Sequence, residues 1–180
     1  VVLGCRGGLM RWTESTGAQR LADTCGSALL SNSAADVVVS NVEGPLNQTL
    51  PFLWTETAGG SFLVAADAPG SRTLVGFVNE LGHVLAGWTR AAPQLPVRAF
   101  RWTAATGLQD LGSPPGMPED VDVIPMGMSA DGRVIVGKVD QYDLFRGRRR
   151  VNPTRSWSFR WTEASGMQNI SADERNSSPS

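Results

Sequence analysis

The sequence has few of the residues on which most enzymes rely. It contains one histidine and two cysteines. A Ser-His-Asp or Cys-His arrangement could therefore use only His83, and a zinc ion would have to share one histidine with two distant cysteines. No Gly-x-Ser-x-Gly nucleophile elbow occurs. We therefore predict no catalytic residue, no metal site and no cofactor.

Charge and long apolar runs are also scarce. Charged residues make up 18% of the chain and the formal net charge is −1, so the sequence does not predict binding to nucleic acid. No apolar run approaches the roughly 18 residues that a membrane-spanning helix needs, and no signal peptide is visible. The chain opens on valine, without a methionine, and we interpret it as a fragment of a longer protein.

Helical periodicity is missing too. The 20 glycines and 11 prolines are more than a helical domain tolerates, and no stretch has apolar residues at helical spacing over three turns. These features predict an all-β chain. The two cysteines, Cys5 and Cys25, could form one bridge or remain as two buried thiols, and the sequence leaves both possibilities open.

What the sequence does contain is a repeat. Four of the five Trp-Thr pairs, those at 12, 54, 102 and 161, are spaced by 42, 48 and 59 residues, and each of these four tryptophans has a glycine five positions later. Strand side chains alternate between faces, so the apolar residue two positions before each tryptophan should share its face. We expect these side chains to form the structural core of the repeat, packed between neighbouring sheets: Trp12, Trp54, Trp102, Trp161, Phe52, Phe100 and Phe159.

Each complete copy contains four apolar segments separated by Gly, Asn, Asp and Ser turns. Such repeats of 40 to 50 residues predict a β-propeller-like array of about four 3- to 4-stranded antiparallel blades, part of a larger propeller. The predicted repeat domain spans 1–170, and a polar tail or linker spans 171–180. The predicted copies are about 1–23, 24–66, 67–112 and 113–170.

Two stretches resemble the bacterial extracellular HAF repeats. One combines residues 127–137, Gly-Met-Ser-Ala-Asp-Gly-Arg-Val-Ile-Val-Gly, with Ser-Phe-Arg-Trp-Thr at 158–162. The other combines Gly-His-Val-Leu-Ala-Gly-Trp at 82–88 with Arg-Ala-Phe-Arg-Trp-Thr at 98–103. No copy retains the histidine of the His-Ala-Phe triplet. The resemblance implies a propeller-like bacterial protein that is secreted or located in the cell envelope, and it supplies no catalytic residues.

The candidate sites lie in loops. Four arginines, Arg146, Arg148, Arg149 and Arg150, lie within the loop at 138–156 and could bind an anionic ligand; a solvated loop is the alternative. The acidic cluster of Glu119, Asp120 and Asp122 has no calcium-loop spacing and is interpreted as a solvated turn. Asp131 is predicted to stabilise its own turn, and His83 is predicted to be exposed.

Two functions remain compatible with these residues. The favoured hypothesis is a non-catalytic extracellular module that binds an unknown protein or polysaccharide partner. The alternative is a glycoside hydrolase or lyase on a propeller scaffold, with active-site residues partly outside this fragment. Such an enzyme needs only carboxylates, and a pocket that gathers two of them would favour it.

Overall fold

In a computed structural model, the described residues are 2–27, 29–64, 68–145, 148–149 and 152–171, and only the backbone is described for 144, 145, 148 and 149. Regular structure in these ranges consists of β-strands alone. The described ranges contain no helix with the length and hydrophobicity that a bilayer crossing requires.

The strands form four antiparallel groups in chain order, called sheets below; one parallel pairing joins the second and third groups into a continuous eight-stranded sheet. The first contains β1 (Val2–Cys5), β2 (Leu9–Thr13) and β3 (Gly17–Ala22). The second contains β4 (Leu29–Ser31), β5 (Val37–Glu43), β6 (Thr49–Thr55) and β7 (Gly59–Phe62). The third contains β8 (Arg72–Val78), β9 (Val84–Arg90), β10 (Arg98–Thr103) and β11 (Gly107–Asp110). The fourth contains β12 (Asp122–Met128), β13 (Val134–Gln141), β16 (Arg155–Thr162) and β17 (Gly166–Asn169). A separate two-stranded sheet of β14 (Leu144–Phe145) and β15 (Arg148–Arg149) lies between β13 and β16 in the sequence.

Successive sheets pack against each other through three apolar clusters. One joins the first and second sheets and contains Leu9, Val38 and Phe52. The next joins the second and third sheets around Leu53, Val75 and Phe100, and the last joins the third and fourth around Ala99, Ile135 and Phe159. The second and third sheets are also linked by one parallel pairing, of Thr49 with Arg72. The predicted all-β, propeller-like array of 3- and 4-stranded blades is confirmed.

The structure gives a physical reason for the repeated Trp-Thr motif. In each copy, the threonine hydroxyl accepts a hydrogen bond from the backbone N–H three residues later, at 3.0 to 3.2 Å. The glycine that follows has a φ of 63° to 74°, in the left-handed region that favours glycine. Threonine and glycine together therefore close the hairpin that follows each repeat tryptophan.

The four repeat tryptophans are not equally buried. Trp161 is 6% exposed and Trp12 is 46% exposed, while Trp54 and Trp102 are partly buried. In the second, third and fourth sheets, the tryptophan packs against the preceding sheet. Trp12 belongs to the first sheet, and its side is not covered by another sheet of the described chain. The prediction that all four indoles pack between sheets is therefore wrong for Trp12.

The two cysteines form a disulfide, which resolves the alternative left open above. Cys5 ends β1 and Cys25 lies between the first and second sheets, with 5.7 Å between their Cα atoms. The bridge closes a loop over a sequence separation of 20 residues. It ties the three-stranded first sheet to the segment that leads into the second.

Gly87 allows a close approach between strands. It pairs with Val75 beside a register shift in β8, and a Cβ atom on it would lie 1.9 Å from the backbone oxygen of Leu74. Because backbone atoms must move to make room, we expect Gly87→Ala to lower the free energy of unfolding by about 2 kcal/mol in a urea titration. Gly76→Ala is the control, since a Cβ there meets nothing within 4 Å. Equal losses in the two variants would contradict this explanation.

Candidate ligand-binding site

A cavity of about 520 Å³ lies between the second and third sheets. Its volume falls within the roughly 300–1,000 Å³ that is usual for small-ligand sites. Four turns surround it: those between β4 and β5, β6 and β7, β8 and β9, and β10 and β11. The hairpins occupy equivalent positions in the two copies of the repeat, so their turns lie at the same end of the two sheets, around the cavity.

The walls of the cavity are apolar and come from the cluster that joins the two sheets. Val37 and Leu53 contribute from the second sheet, and Val84 and Trp102 contribute from the third. Three of these side chains are buried, whereas Trp102 is only partly buried. An indole that is partly covered and lines a cavity can stack against a ligand.

The polar groups of the cavity lie at its rim. Asp36 accepts a hydrogen bond of 2.6 Å from Asn32 Nδ2, and Glu56 forms an ion pair of 3.2 Å with Arg11. The hydroxyls of Thr55 and Thr103 accept the backbone hydrogen bonds that close their own turns. The rim therefore presents two carboxylates, each held in place by a neighbouring side chain.

The cavity lies at the interface where the residue before the repeat tryptophan is leucine and not arginine. The residue before the tryptophan is Arg11 in the first sheet, Leu53 in the second and Arg101 in the third, and it faces the next sheet. The guanidinium carbon of Arg11 lies 5.0 Å from the ring centre of Trp54, and that of Arg101 lies 5.9 Å from Trp161. At the middle interface, the shorter Leu53 lines an open cavity beside Trp102 instead.

Comparison with known proteins gives a likeness of fold. A solved structure described as a TolB from Agrobacterium tumefaciens matches with a TM-score of 0.49 and 13% sequence identity. The match covers 94% of this chain and 57% of the other, so the chain spans little more than half the length of that protein. No protein-family model and no curated protein sequence matches the chain.

The candidate sites from the sequence do not converge on this cavity. His83 lies at its rim and is exposed, as expected. Arg146 and Arg150 lie outside the described residues; Arg148 and Arg149 form β15, which pairs with β14, and their side chains are also not described. Anion binding by these arginines stays a prediction. In the described ranges, no group of three or more His, Cys, Asp or Glu side chains is placed to hold a metal ion.

The acidic cluster differs from its sequence-based interpretation. Glu119 and Asp120 are exposed, but Asp122 is 3% exposed and lies at the start of β12. Its Oδ1 accepts a hydrogen bond of 2.7 Å from the backbone N–H of Val97, the residue before β10 of the third sheet. The solvated-turn interpretation is wrong for Asp122, because that carboxylate joins two sheets.

A second buried carboxylate faces Asp122. Asp140, which is fully buried, is its partner across β12 and β13. Lys138 Nζ lies 2.6 Å from Asp140 Oδ2, and the Ser156 hydroxyl donates to Asp140 Oδ1. The hydrogen bond to Asp140 raises the pKa of Lys138 above its ordinary value of 10.5. These contacts stabilise the fourth sheet, and none of the residues lines the cavity.

Asp131 acts as the sequence predicts. Its Oδ1 accepts hydrogen bonds from the Ser129 hydroxyl and from the backbone N–H of Arg133, at 2.6 and 3.0 Å. The bond from Ser129, followed by the one from Arg133, lowers the pKa of Asp131 below 3.8. The residue stabilises the turn between β12 and β13.

Asp36, Glu56 and Leu53 were not predicted from the sequence as residues of a site. The available signal was Leu53 itself, the one position before a repeat tryptophan that is not arginine. Asp36 and Glu56 lie in turns of ordinary composition, so nothing local distinguishes them. Their proximity depends on two turns of the second sheet, where the Glu56 N–H donates to the Asp36 carbonyl at 2.9 Å.

Proposed function

We propose that the chain is a non-catalytic binding module that takes its ligand in the cavity between the second and third sheets. The observation that carries the proposal is a preformed apolar cavity with an indole in its wall and a few polar groups at its rim. That combination is typical of binding sites. The strands around it provide a rigid frame, and the turns at its mouth provide the variable contacts.

The resemblance to HAF repeats supports a location outside the cytoplasm, at the bacterial cell surface or in the envelope. The Cys5–Cys25 disulfide is consistent with that location, because disulfides persist in oxidising compartments. A displayed module of this kind would bind a protein or polysaccharide partner.

The second candidate is a glycoside hydrolase or lyase. The observation that favours it is that Asp36 and Glu56 line the same cavity, and a pair of carboxylates is what glycoside hydrolysis needs. Binding is the better-supported function because both carboxylates already have structural partners, Asn32 and Arg11. An enzyme of this kind would hydrolyse a chromogenic glycoside and release its chromophore, and Glu56→Gln would abolish that activity.

A matched pair of variants tests the site. Ala105 and Ala164 are exposed residues at the same position of the turn after the repeat tryptophan, but only Ala105 lines the cavity. The wild type is first tested on a glycan array and a peptide array to find the ligand class that it binds. We expect Ala105→Trp to lower the affinity for that class at least about tenfold by obstructing the mouth of the cavity, whereas Ala164→Trp should bind as the wild type does. If no ligand on either array separates the two variants, the cavity is not the binding site and the proposal fails.

A further inference from the structure

The chain itself shows what fills the space between a repeat tryptophan and the preceding sheet. Arg11 reaches across from the first sheet to the second and is 7% exposed. One of its terminal nitrogens donates to the carbonyl of Ala35 at 3.1 Å, and the other lies 3.2 Å from Glu56. Its guanidinium also lies over the ring of Trp54. This interface is therefore a socket for a guanidinium group, built from an indole, a carbonyl and a carboxylate.

Two of the three groups of that socket, the indole and the turn carbonyl, are repeated at the cavity. Trp102 takes the place of Trp54 in the repeat, and Gly82 takes the place of Ala35. Ala35 and Gly82 have positive φ values of 52° and 71°, so their turns follow the same backbone course. Both Trp102 and Gly82 line the cavity. The middle interface lacks the arginine side chain, because Leu53 occupies its position, and the carboxylate, because Ala104 takes the place of Glu56.

The carboxylates at the rim favour a cationic ligand. Asp36 and Glu56 line the cavity, and the described lining residues include neither lysine nor arginine. Arg11 offsets the charge of Glu56, whereas the partner of Asp36 is the neutral amide of Asn32. A negative charge therefore remains beside an apolar cavity that contains an indole.

We infer that the cavity binds an arginine side chain of a partner protein or peptide, which takes the place that Arg11 and Arg101 occupy at the neighbouring interfaces. The inference rests on the proposed function and names the ligand class of the same site. A guanidinium is favoured over an ammonium because its planar face stacks on an indole while its edge donates to carbonyl and carboxylate oxygens.

The first test uses two small ligands of nearly equal shape. N-acetyl-arginine amide and N-acetyl-citrulline amide differ in that citrulline has a neutral urea in place of the guanidinium. Titrations followed by tryptophan fluorescence and by calorimetry should show binding of the arginine compound, with citrulline about tenfold weaker, since cation–π and charge contacts are lost together. Equal affinities, or no binding of the arginine compound, would overturn the inference.

The second test fills the cavity from within. Leu53→Arg restores the residue that the repeat has at the other interfaces, and we expect it to abolish binding of N-acetyl-arginine amide. Leu95→Arg is the control, because it adds the same charge at an exposed residue that does not line the cavity. If Leu53→Arg does not fold, Ala105→Trp serves as the blocking variant and Ala164→Trp as its control.

Two failures can be told apart. If the arginine compound binds equally well to wild type and to the blocked variants, the guanidinium inference is wrong. If the glycan and peptide arrays still separate Ala105→Trp from Ala164→Trp, the module binds some other ligand in the same cavity. If neither experiment depends on the cavity, both the inference and the proposed function fail.

Discussion

Trp161→Ala is expected to lower the free energy of unfolding by about 3–5 kcal/mol, the usual cost of removing a buried aromatic side chain. Trp161 is 6% exposed and packs in the cluster of the third and fourth sheets with Phe159, Ile135 and Met167. The guanidinium of Arg101 also lies over its ring, so the variant loses that contact together with the buried area. A urea titration followed by circular dichroism measures the loss.

The repeat supplies the control for this prediction. Trp12 occupies the same position in the first sheet but is 46% exposed, so Trp12→Ala should cost less than about 1 kcal/mol. From the sequence alone, Trp102→Ala is expected to cost about 3–5 kcal/mol; because Trp102 is only partly buried and lines the cavity, about 2 kcal/mol is now expected. Similar losses for Trp12 and Trp161 would contradict the view that each tryptophan is covered by the preceding sheet.

The sheets could be predicted from sequence because the repeat carries local information. An apolar residue and a tryptophan two positions apart identify the two side chains that share one face of each strand, and the glycine after each repeat tryptophan marks the hairpin. The threonine hydroxyl and the positive φ of that glycine then act within a few residues, so four copies give four independent indications of the same hairpin. Local chemistry of this kind can be inferred from the sequence alone.

The direction of stacking could not be predicted in the same way. Alternation shows that Phe100 and Trp102 share a face, but it does not show whether the preceding or the following sheet covers that face. The exposure of Trp12 and the cavity beside Leu53 both follow from this direction. The burial of Asp122 was missed for a related reason, because its partner, the Val97 N–H, belongs to the segment that leads into a strand of another sheet.

Lys138→Met is expected to destabilise the chain by about 3 kcal/mol, because it removes the cation from a fully buried carboxylate. Asp140 would keep the hydroxyl of Ser156 but lose the ammonium at 2.6 Å, and Asp122 stands opposite on the next strand. Removing one partner of a buried ion pair is costly since the remaining charge is neither solvated nor compensated. The Lys138 side chain is 44% exposed, so solvent screening places the expected value at the lower end of the range for such pairs.

A control variant and the pH dependence distinguish the ion pair of Lys138 and Asp140 from an exposed surface ion pair. Arg133 and Asp131 lie 3.9 Å apart with both side chains exposed, so Arg133→Met should cost less than about 0.5 kcal/mol. Because the folded-state pKa of Lys138 is raised above 10.5, its contribution is fully present below that pH and is lost as the pH rises through the raised value. Urea titrations at pH 8 and at pH 11 or above should therefore show the difference between wild type and Lys138→Met shrinking at high pH. A difference that is small at pH 8, or equal at both values, would mean that Asp140 does not depend on the Lys138 ammonium for its burial.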